Sequence, residues 1–428
     1  MSIAQPSRAL PQQRDCTRGL GSRGGCALAV PIPRATRVRA PLPIKDNVAD
    51  ALPPASRRFH DRRPMADQRC RSEVPPGCAR LHPTIAAPAT CSECVLTRED
   101  SMQFQHRSIT TNGIKMHVTE AGSGPLVVMC HGFPESWYSW RHQLAALAEA
   151  GFHAAAPDMR GYGQTESPEA IDQFTLFHLV GDVIGVLDAL GESEAVIVGH
   201  DWGAPVAWHA ALIRPDRFRG VVGLSVPYRP RQAETVRPTS LMPQTADAIF
   251  YQLYFQQPGV AEAEFERDHR QTVRSLLYAA SGEARASPQV QGGGGAGMVP
   301  RVAGFLGGRP SPSVLPAWIT EADVDFYAHE FRRAGFRGGL NWYRNIDKNW
   351  ELLAPWIGAK VVVPALYIAG DRDLVLAFRG MDQLLPALKH FVPNLRETII
   401  LSGCGHWTQQ ERPQEVNAAV IKFLRSLG

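Results

Sequence analysis

From about residue 102 onward, apolar positions in this chain follow two periods that take turns. "IKMHVTEAG", "PLVVMCHG", "AVIVG" and "FRGVVGLSVP" are short apolar, β-branched runs bounded by glycine or proline, the signature of strands. Between such runs, "WRHQLAALAEA", "FHLVGDVIGVLDALG" and "APVAWHAALI" space their apolar residues along one face of a helix, and Gly191 closes the second of them. "MQFQHRSITTNGIKMHVTEAG" alternates like strands, and "HAAAPDMRGYG" reads as a strand that ends in a glycine-rich turn. Strands alternating with helices of this length predict an α/β fold: a mostly parallel central sheet with helices on both faces.

The alternation stops near residue 229. The stretch that follows is helical in pattern, aromatic and rich in loops, with a glycine/proline insert "GGGGAGMVPRVAGFLGGRPSPSVLP" that reads as a flexible connection. Near residue 360 the two periods resume as strand "KVVVPALYIAG", helix "MDQLLPALKHF", strand "RETIILSG" and helix "PQEVNAAVIKFLRSLG". One core in two parts, 102–228 and 346–428, is therefore expected, interrupted by a helical lid over 229–345. No internal repeat is visible.

Composition separates the first 101 residues from the rest. They carry 16 Lys and Arg against 9 Asp and Glu, a net of +7, which leaves about −3 for the remainder of a 428-residue chain of net charge +4. Dense in Arg, Pro, Ser and Ala and without period, this stretch cannot bury enough apolar surface to order itself, and it reads as a disordered basic extension. A transit segment, or a mature chain beginning at Met102, are the other readings of it. Six of the eight cysteines lie there; Cys70, Cys78, Cys91 and Cys94 form one C-x-x-C pair with irregular spacing, which suits free thiols better than zinc. The early residues hold no signal-peptide run, and "VVVPALYIAG" is too short to cross a bilayer. Arginines mixed with acids, without an aromatic pattern, argue against a nucleic-acid arm. A cytoplasmic protein without membrane or nucleic-acid partner is expected.

In an open parallel sheet, ligands gather at the carboxyl ends of the strands. "VIVGHDWGAPVAWHAAL" is a strand, a bend between Gly199 and Gly203, and a helix; where a Gly-x-Ser-x-Gly bend carries serine stands Asp201. Asp373 follows strand "ALYIAG" in "GDRD", with Asp371 shaping the turn, and His406 follows strand "TIILSG" in "GCGHW". Taken singly, each has a bland alternative: Asp201 as a helix cap, Asp373 as a turn residue and His406 as a core histidine. Placed after three strands in the order nucleophile, acid, base, they point to nucleophilic catalysis. A fourth strand end, "CHGFP", offers the Phe133 N–H as an oxyanion donor, with the Trp202 N–H as a second.

A carboxylate in that bend suits attack on a saturated carbon. Serine would form an inert ether there, whereas aspartate forms an ester that water, activated by His406, can hydrolyse. The leaving group is then a halide or the alkoxide of an opened epoxide. An alkoxide, whose conjugate acid lies near the ~15.7 of water, needs an acid such as tyrosine at about 10. "FYQLYFQQPG" supplies Tyr251 and Tyr254, and "LNWYRN" supplies Tyr343, although aromatic residues in a helical lid also serve as packing. This chemistry calls for neither cofactor nor metal.

"HGFPESW", "DMRGYG", "GHDWGAPVAW", "YQLYFQQPGVAEAEFE", "FRGGLNWYRN" and "GCGHWTQQE" together resemble the epoxide hydrolase branch of the α/β-hydrolase superfamily. The likeness is to the hydrolase domain of mammalian soluble epoxide hydrolase and its bacterial relatives, and it runs from about residue 104 to the C-terminus. It implies Asp201 as nucleophile, His406 as base, Asp373 as its orienting acid, and Tyr251 and Tyr343 as the ring-opening pair. Tyr254 would pack, and Trp202, Gln252, Phe255 and Trp407 would line the pocket. It further implies a small epoxide and water as the partners of a monomer or homodimer. Two features depart from the pattern: the phosphatase domain of the mammalian protein has no counterpart, and 281–316 is unusually rich in Gly and Pro. A haloalkane or haloacid dehalogenase shares the bend and base, and a non-catalytic ligand receptor shares the fold; the lid tyrosines and Phe133 argue against the first, and an intact triad against the second.

Overall fold

The computed structural model describes residues 104–428 except 234, 287–295, 308 and 310, so the basic extension, its six cysteines and the glycine run of the insert lie outside the described residues. The first described strands, β1 (Gln105–Thr111) and β2 (Ile114–Ala121), form a hairpin. Asn112 and Gly113 make its turn with φ of 44° and 80°, the left-handed pair that a two-residue hairpin requires. Strands β3 (Leu126–Cys130), β4 (His153–Pro157), β5 (Ala195–His200) and β6 (Phe218–Leu224) follow, each after a helix or a loop. A short ribbon pairs β7 (Ala248–Phe250) with β8 (Met298–Pro300), and β9 (Ala365–Gly370) and β10 (Leu395–Leu401) return to the main sheet.

That sheet has eight strands in the order β1-β2-β4-β3-β5-β6-β9-β10. β1, β2 and β4 pair antiparallel, and from β4 through β10 the pairing is parallel. Side chains alternate across a strand, and both faces here are covered. Ala195 and Ile197 of β5, Leu126 and Val128 of β3, and Tyr367 and Ala369 of β9 therefore join one apolar cluster with helices Leu176–Leu190 and Gly203–Ile213. Val196 and Val198, Val127 and Met129, and Leu366 and Ile368 join a second, under helices Arg141–Glu149 and Pro413–Arg425. This is why the strands read as continuous apolar runs.

One expected strand is shorter than its apolar pattern. "KVVVPALYIAG" pairs only from Ala365, because Pro364 has no N–H to give the ladder; its carbonyl still accepts from the Val221 N–H at 3.0 Å. Between β6 and β9 the chain builds helices, among them Tyr251–Tyr254, Val260–Phe265, His269–Ala279, Glu321–Ala334, Arg337–Arg344 and Ile346–Leu352. Among the described residues no helix is long and apolar enough to cross a membrane.

Trp208 is the largest side chain between sheet and helix Gly203–Ile213. It is fully buried, its indole N–H donates to the Val226 carbonyl at 3.0 Å, and Gly223 of β6 leaves room for the ring: a Cβ there would lie 2.4 Å from it. Trp208→Ala is expected to lower unfolding free energy by about 3–5 kcal/mol, read as a lower urea midpoint. A loss below about 1 kcal/mol would show that the site collapses without penalty.

Candidate active site

The bend after β5 is forced by close backbone packing. A Cβ on Gly199 would sit 2.1 Å from the Gly203 carbonyl, and one on Gly203 would sit 2.0 Å from the Cys130 carbonyl. Only glycine lets strand, bend and helix approach this closely. The residue between them, Asp201, sits at φ 49°, a left-handed conformation that costs a non-glycine residue free energy and projects its side chain off the strand end. The carboxylate is thereby aimed at the mouth of the sheet.

Its Oδ1 accepts the Phe133 N–H at 2.8 Å, and its Oδ2 lies 3.4 Å from His406 Nε2. The other ring nitrogen, Nδ1, is 3.0 Å from Asp373 Oδ1 and 2.9 Å from the Ser225 hydroxyl. Asp201, His406 and Asp373 thus stand in one line, with histidine between two carboxylates. No hydrogen bond from the Trp202 N–H to the Asp201 carboxylate is present among the described residues. Burial alone would raise both aspartates. Against it, hydrogen bonding and charge from His406, with the Phe133 N–H for Asp201 and the Ser225 hydroxyl and Val375 N–H for Asp373, hold both below the usual carboxylate range. Burial would lower His406, but the two carboxylates outweigh it and raise its pKa well above the ordinary histidine value. At neutral pH the resting trio is a cation between two anions.

Above this line sit the tyrosines expected from the sequence. Tyr251 begins the helix Tyr251–Tyr254, Tyr343 lies near the end of helix Arg337–Arg344, and their rings meet edge-on 5.8 Å apart. Burial, then the charge of Asp201, raises both phenols above 10, so both stay protonated through the neutral range. The Gln252 amide donates to the Tyr251 hydroxyl at 3.0 Å. Phe255 is fully buried with its ring 4.9 Å from Tyr343, and Trp202 meets Tyr343 edge-on at 5.1 Å. Trp407 packs edge-on against His406 at 4.7 Å and ties its own N–H to the Leu277 carbonyl. Tyr254 points elsewhere: its hydroxyl donates to Glu264 at 2.7 Å. Among the described residues no cluster of three or more His, Cys, Asp and Glu is placed to hold a metal.

Sequence reasoning missed the support beneath this line. Glu135 and His200, both fully buried, pair at 2.8 Å through Glu135 Oε2 and His200 Nδ1. His200 Nε2 lies 2.7 Å from the His406 carbonyl, and Glu135 accepts the Gly132 N–H and the side-chain amides of Gln409 and Gln410. One buried pair therefore holds both the backbone turn that carries Phe133 and the backbone that carries His406. Ser225, at φ 68° after β6, was missed as well. The available signal was placement: Glu135 and His200 lie at or beside strand ends already carrying a candidate residue, and Ser225 directly follows β6.

Comparison with known proteins adds to this geometry. The alpha/beta hydrolase fold family matches residues 125–413. Epoxide hydrolase A of Mycobacterium tuberculosis is 45% identical over 325 residues, covering 75% of this chain and 97% of that protein. Bifunctional epoxide hydrolase 2 of Sus scrofa is 40% identical over 315 residues, 73% of this chain and 54% of the pig protein. Among solved structures, an epoxide hydrolase from an endophytic Streptomyces superposes with a TM-score of 0.71 at 46% identity, covering 76% of this chain and 96% of the other.

The Glu135–His200 pair gives a direct test of the support. Burial works against the Glu135 carboxylate, but His200 and the Gly132 N–H hold it below its ordinary value. Its stabilisation is then present above the unfolded carboxylate pKa and is lost as pH falls through the folded one. Glu135→Gln is expected to cost about 3–5 kcal/mol at neutral pH, with the deficit shrinking in acid. A deficit independent of pH in urea titrations would contradict the pairing.

Proposed function

The chain belongs to the epoxide hydrolases of the α/β-hydrolase fold and converts epoxides to vicinal diols, and from that membership we propose that the conversion runs through a covalent ester on Asp201. The observation that carries this reading is the geometry of Asp201 itself. One carboxylate oxygen already rests on the Phe133 N–H, and the other faces His406 Nε2 at 3.4 Å.

In the first step Asp201 Oδ2 bonds to an epoxide carbon as that carbon's bond to the ring oxygen breaks. The ring oxygen leaves as an alkoxide and takes a proton from Tyr343 or Tyr251, a phenol being intrinsically more acidic than an alcohol. Oδ1 becomes the carbonyl oxygen of the ester and keeps its bond to the Phe133 N–H. Ester formation also removes one of the two negative charges that hold the proton on His406. The imidazole then gives it up and becomes a base, while Asp373 and Ser225 keep Nδ1 in place.

In the second step water attacks the ester carbonyl and gives its proton to His406 Nε2. The negative charge that develops on Oδ1 is met by the Phe133 N–H, with the Trp202 N–H as the second donor of the reading. Collapse breaks the acyl–oxygen bond; the departing diol oxygen takes the remaining proton of the attacking water, which restores the carboxylate. Through solvent, the proton that His406 gave up after ester formation replaces the one the tyrosine gave, and the proton it takes from water restores the imidazolium, so the sum is epoxide plus water to diol. Trp202, Gln252, Phe255 and Trp407 complete the pocket in this reading. The pair of protonated phenols above the nucleophile favours an alkoxide over a halide as leaving group. Every site residue comes from one chain, so a monomer or a homodimer suffices, and the buried free thiols Cys130 and Cys404 suit a cytoplasmic setting.

His406→Gln is expected to stop the second step alone. Intact-mass spectrometry after epoxide treatment should then show the protein heavier by one epoxide, and unmodified protein would contradict the reading. In the unsubstituted enzyme the same ester should accumulate as pH falls, because a histidine that stays protonated cannot deprotonate water. Equal slowing of both steps in acid would contradict the separate role of His406.

A further inference from the structure

Helix Arg337–Arg344 contains two adjacent glycines, Gly338 and Gly339, although glycine weakens a helix relative to alanine. Contacts explain the first. A Cβ on Gly338 would lie 2.2 Å from the Gly161 carbonyl oxygen and 2.6 Å from its Cα, and a Cβ on Gly161 would lie 2.7 Å from the Gly338 Cα. Backbone rests on backbone. Gly161 itself sits at φ 84°, in the turn that follows β4. Residues four apart share a helix face, and Trp342, four on from Gly338, donates its indole N–H to the Arg160 carbonyl at 3.2 Å. The adjacent stripe holds Gly339 and Tyr343. Gly339 faces the Tyr162 hydroxyl and the Phe133 ring, and Tyr343 meets that same Phe133 ring edge-on at 5.7 Å.

The turn beneath is fixed to the floor of the site. Arg160 Nε donates to Asp182 at 2.7 Å in a buried ion pair. The Met159 N–H donates to His131 Nε2 at 3.0 Å, and the Tyr162 ring stands edge-on to His131 at 4.8 Å. His131 leads directly into Gly132 and Phe133. One turn therefore touches both the strand end that holds the Asp201 carboxylate and the helix that carries Tyr343.

We infer that the turn Arg160–Tyr162, through the contact of Gly161 with Gly338, is the seat that sets the height of Tyr343 above Asp201. Gly161 and Gly338 are positioning residues, and their role rests on the reading of Tyr343 as a proton donor. A methyl group at Gly338 has only backbone to push against, so the helix must lift. Proton transfer needs the phenol within hydrogen-bond reach of the ring oxygen, and a misplacement near 1 Å costs on the order of 100-fold. Ester hydrolysis draws on His406, Asp373 and Phe133, none of which the helix carries.

The test is single-turnover kinetics of the full chain with an epoxide, resolving ester formation from ester hydrolysis, for Gly338→Ala, Tyr343→Phe and the double variant. Ester formation should slow on the order of 100-fold in Gly338→Ala while hydrolysis keeps its rate. In the Tyr343→Phe background the alanine should add no further loss. An unchanged rate of ester formation, an equal loss in both steps, or losses that multiply in the double variant would each overturn the seat. If Gly338→Ala does not fold, Trp342→Phe removes the Arg160 hydrogen bond while keeping a ring, and must slow ester formation selectively. Tyr343→Phe with normal ester formation would leave Tyr251 as the donor and overturn the role of Tyr343 on which the seat rests; a slow Tyr343→Phe beside a normal Gly338→Ala would sink the seat alone.

Discussion

One imidazole between two buried carboxylates is the interaction on which the rest of this structure depends. Two anions this close, withdrawn from water, cannot both persist without a cation, and His406 supplies it with Nε2 3.4 Å from Asp201 and Nδ1 3.0 Å from Asp373. The surrounding fold keeps that balance from drifting. The Phe133 N–H, the Ser225 hydroxyl and the Val375 N–H each stabilise an anion, and the Glu135–His200 pair fixes the backbone on either side. In the proposed mechanism the resting charge distribution also makes the two steps self-timed: neutralising Asp201 by alkylation would weaken the hold on the His406 proton, so the base would come into being when the ester does.

The second constraint is vertical. Asp201 and His406 belong to strand ends of the sheet, whereas Tyr251 and Tyr343 belong to helices that lie between β6 and β9 in the chain. Chemistry that uses both needs the two parts held at a fixed separation. Contacts between backbones, at Gly161 and Gly338, define such a separation more sharply than side chains, which can yield by changing rotamer. Aromatic rings pack against one another between the two parts: Phe133, Phe255 and Tyr343 meet edge to face with centroids 4.9 to 6.0 Å apart.

Much of this was legible from residue pattern. The alternation of strand and helix periods marked the sheet from β1 to β6 and again from β9 to β10: β3, β5 and β9 are buried on both faces and read as apolar runs, whereas the edge strands β1 and β10 are largely exposed. Asp201, Asp373 and His406 stood out because each follows such a run directly, and the structure brings the three together. Asking what an alkoxide requires led to Tyr251, Tyr254 and Tyr343, and the family resemblance singled out Tyr251 and Tyr343 among them. The missing parts are those set by contacts distant in the chain. Nothing local marks Glu135 as the partner of His200, or Ser225 as a second neighbour of His406 Nδ1, since their roles exist only once four strand ends converge. Pairing of Gly161 with Gly338 spans the whole core–insertion boundary and was equally invisible. The apolar run before Ala365 overstated β9 because periodicity does not register the missing N–H of Pro364.

The claim at the centre is that a carboxylate oxygen of Asp201 leaves with the product and is replaced from water. One turnover of excess enzyme on epoxide in water enriched in oxygen-18, followed by digestion and mass analysis, reads that exchange directly. The account predicts a heavy oxygen in the peptide containing Asp201 and an unlabelled oxygen from the protein in the diol. Label found only in the diol, with that peptide at its natural mass, would mean that water attacks the epoxide directly, and the covalent account would be wrong.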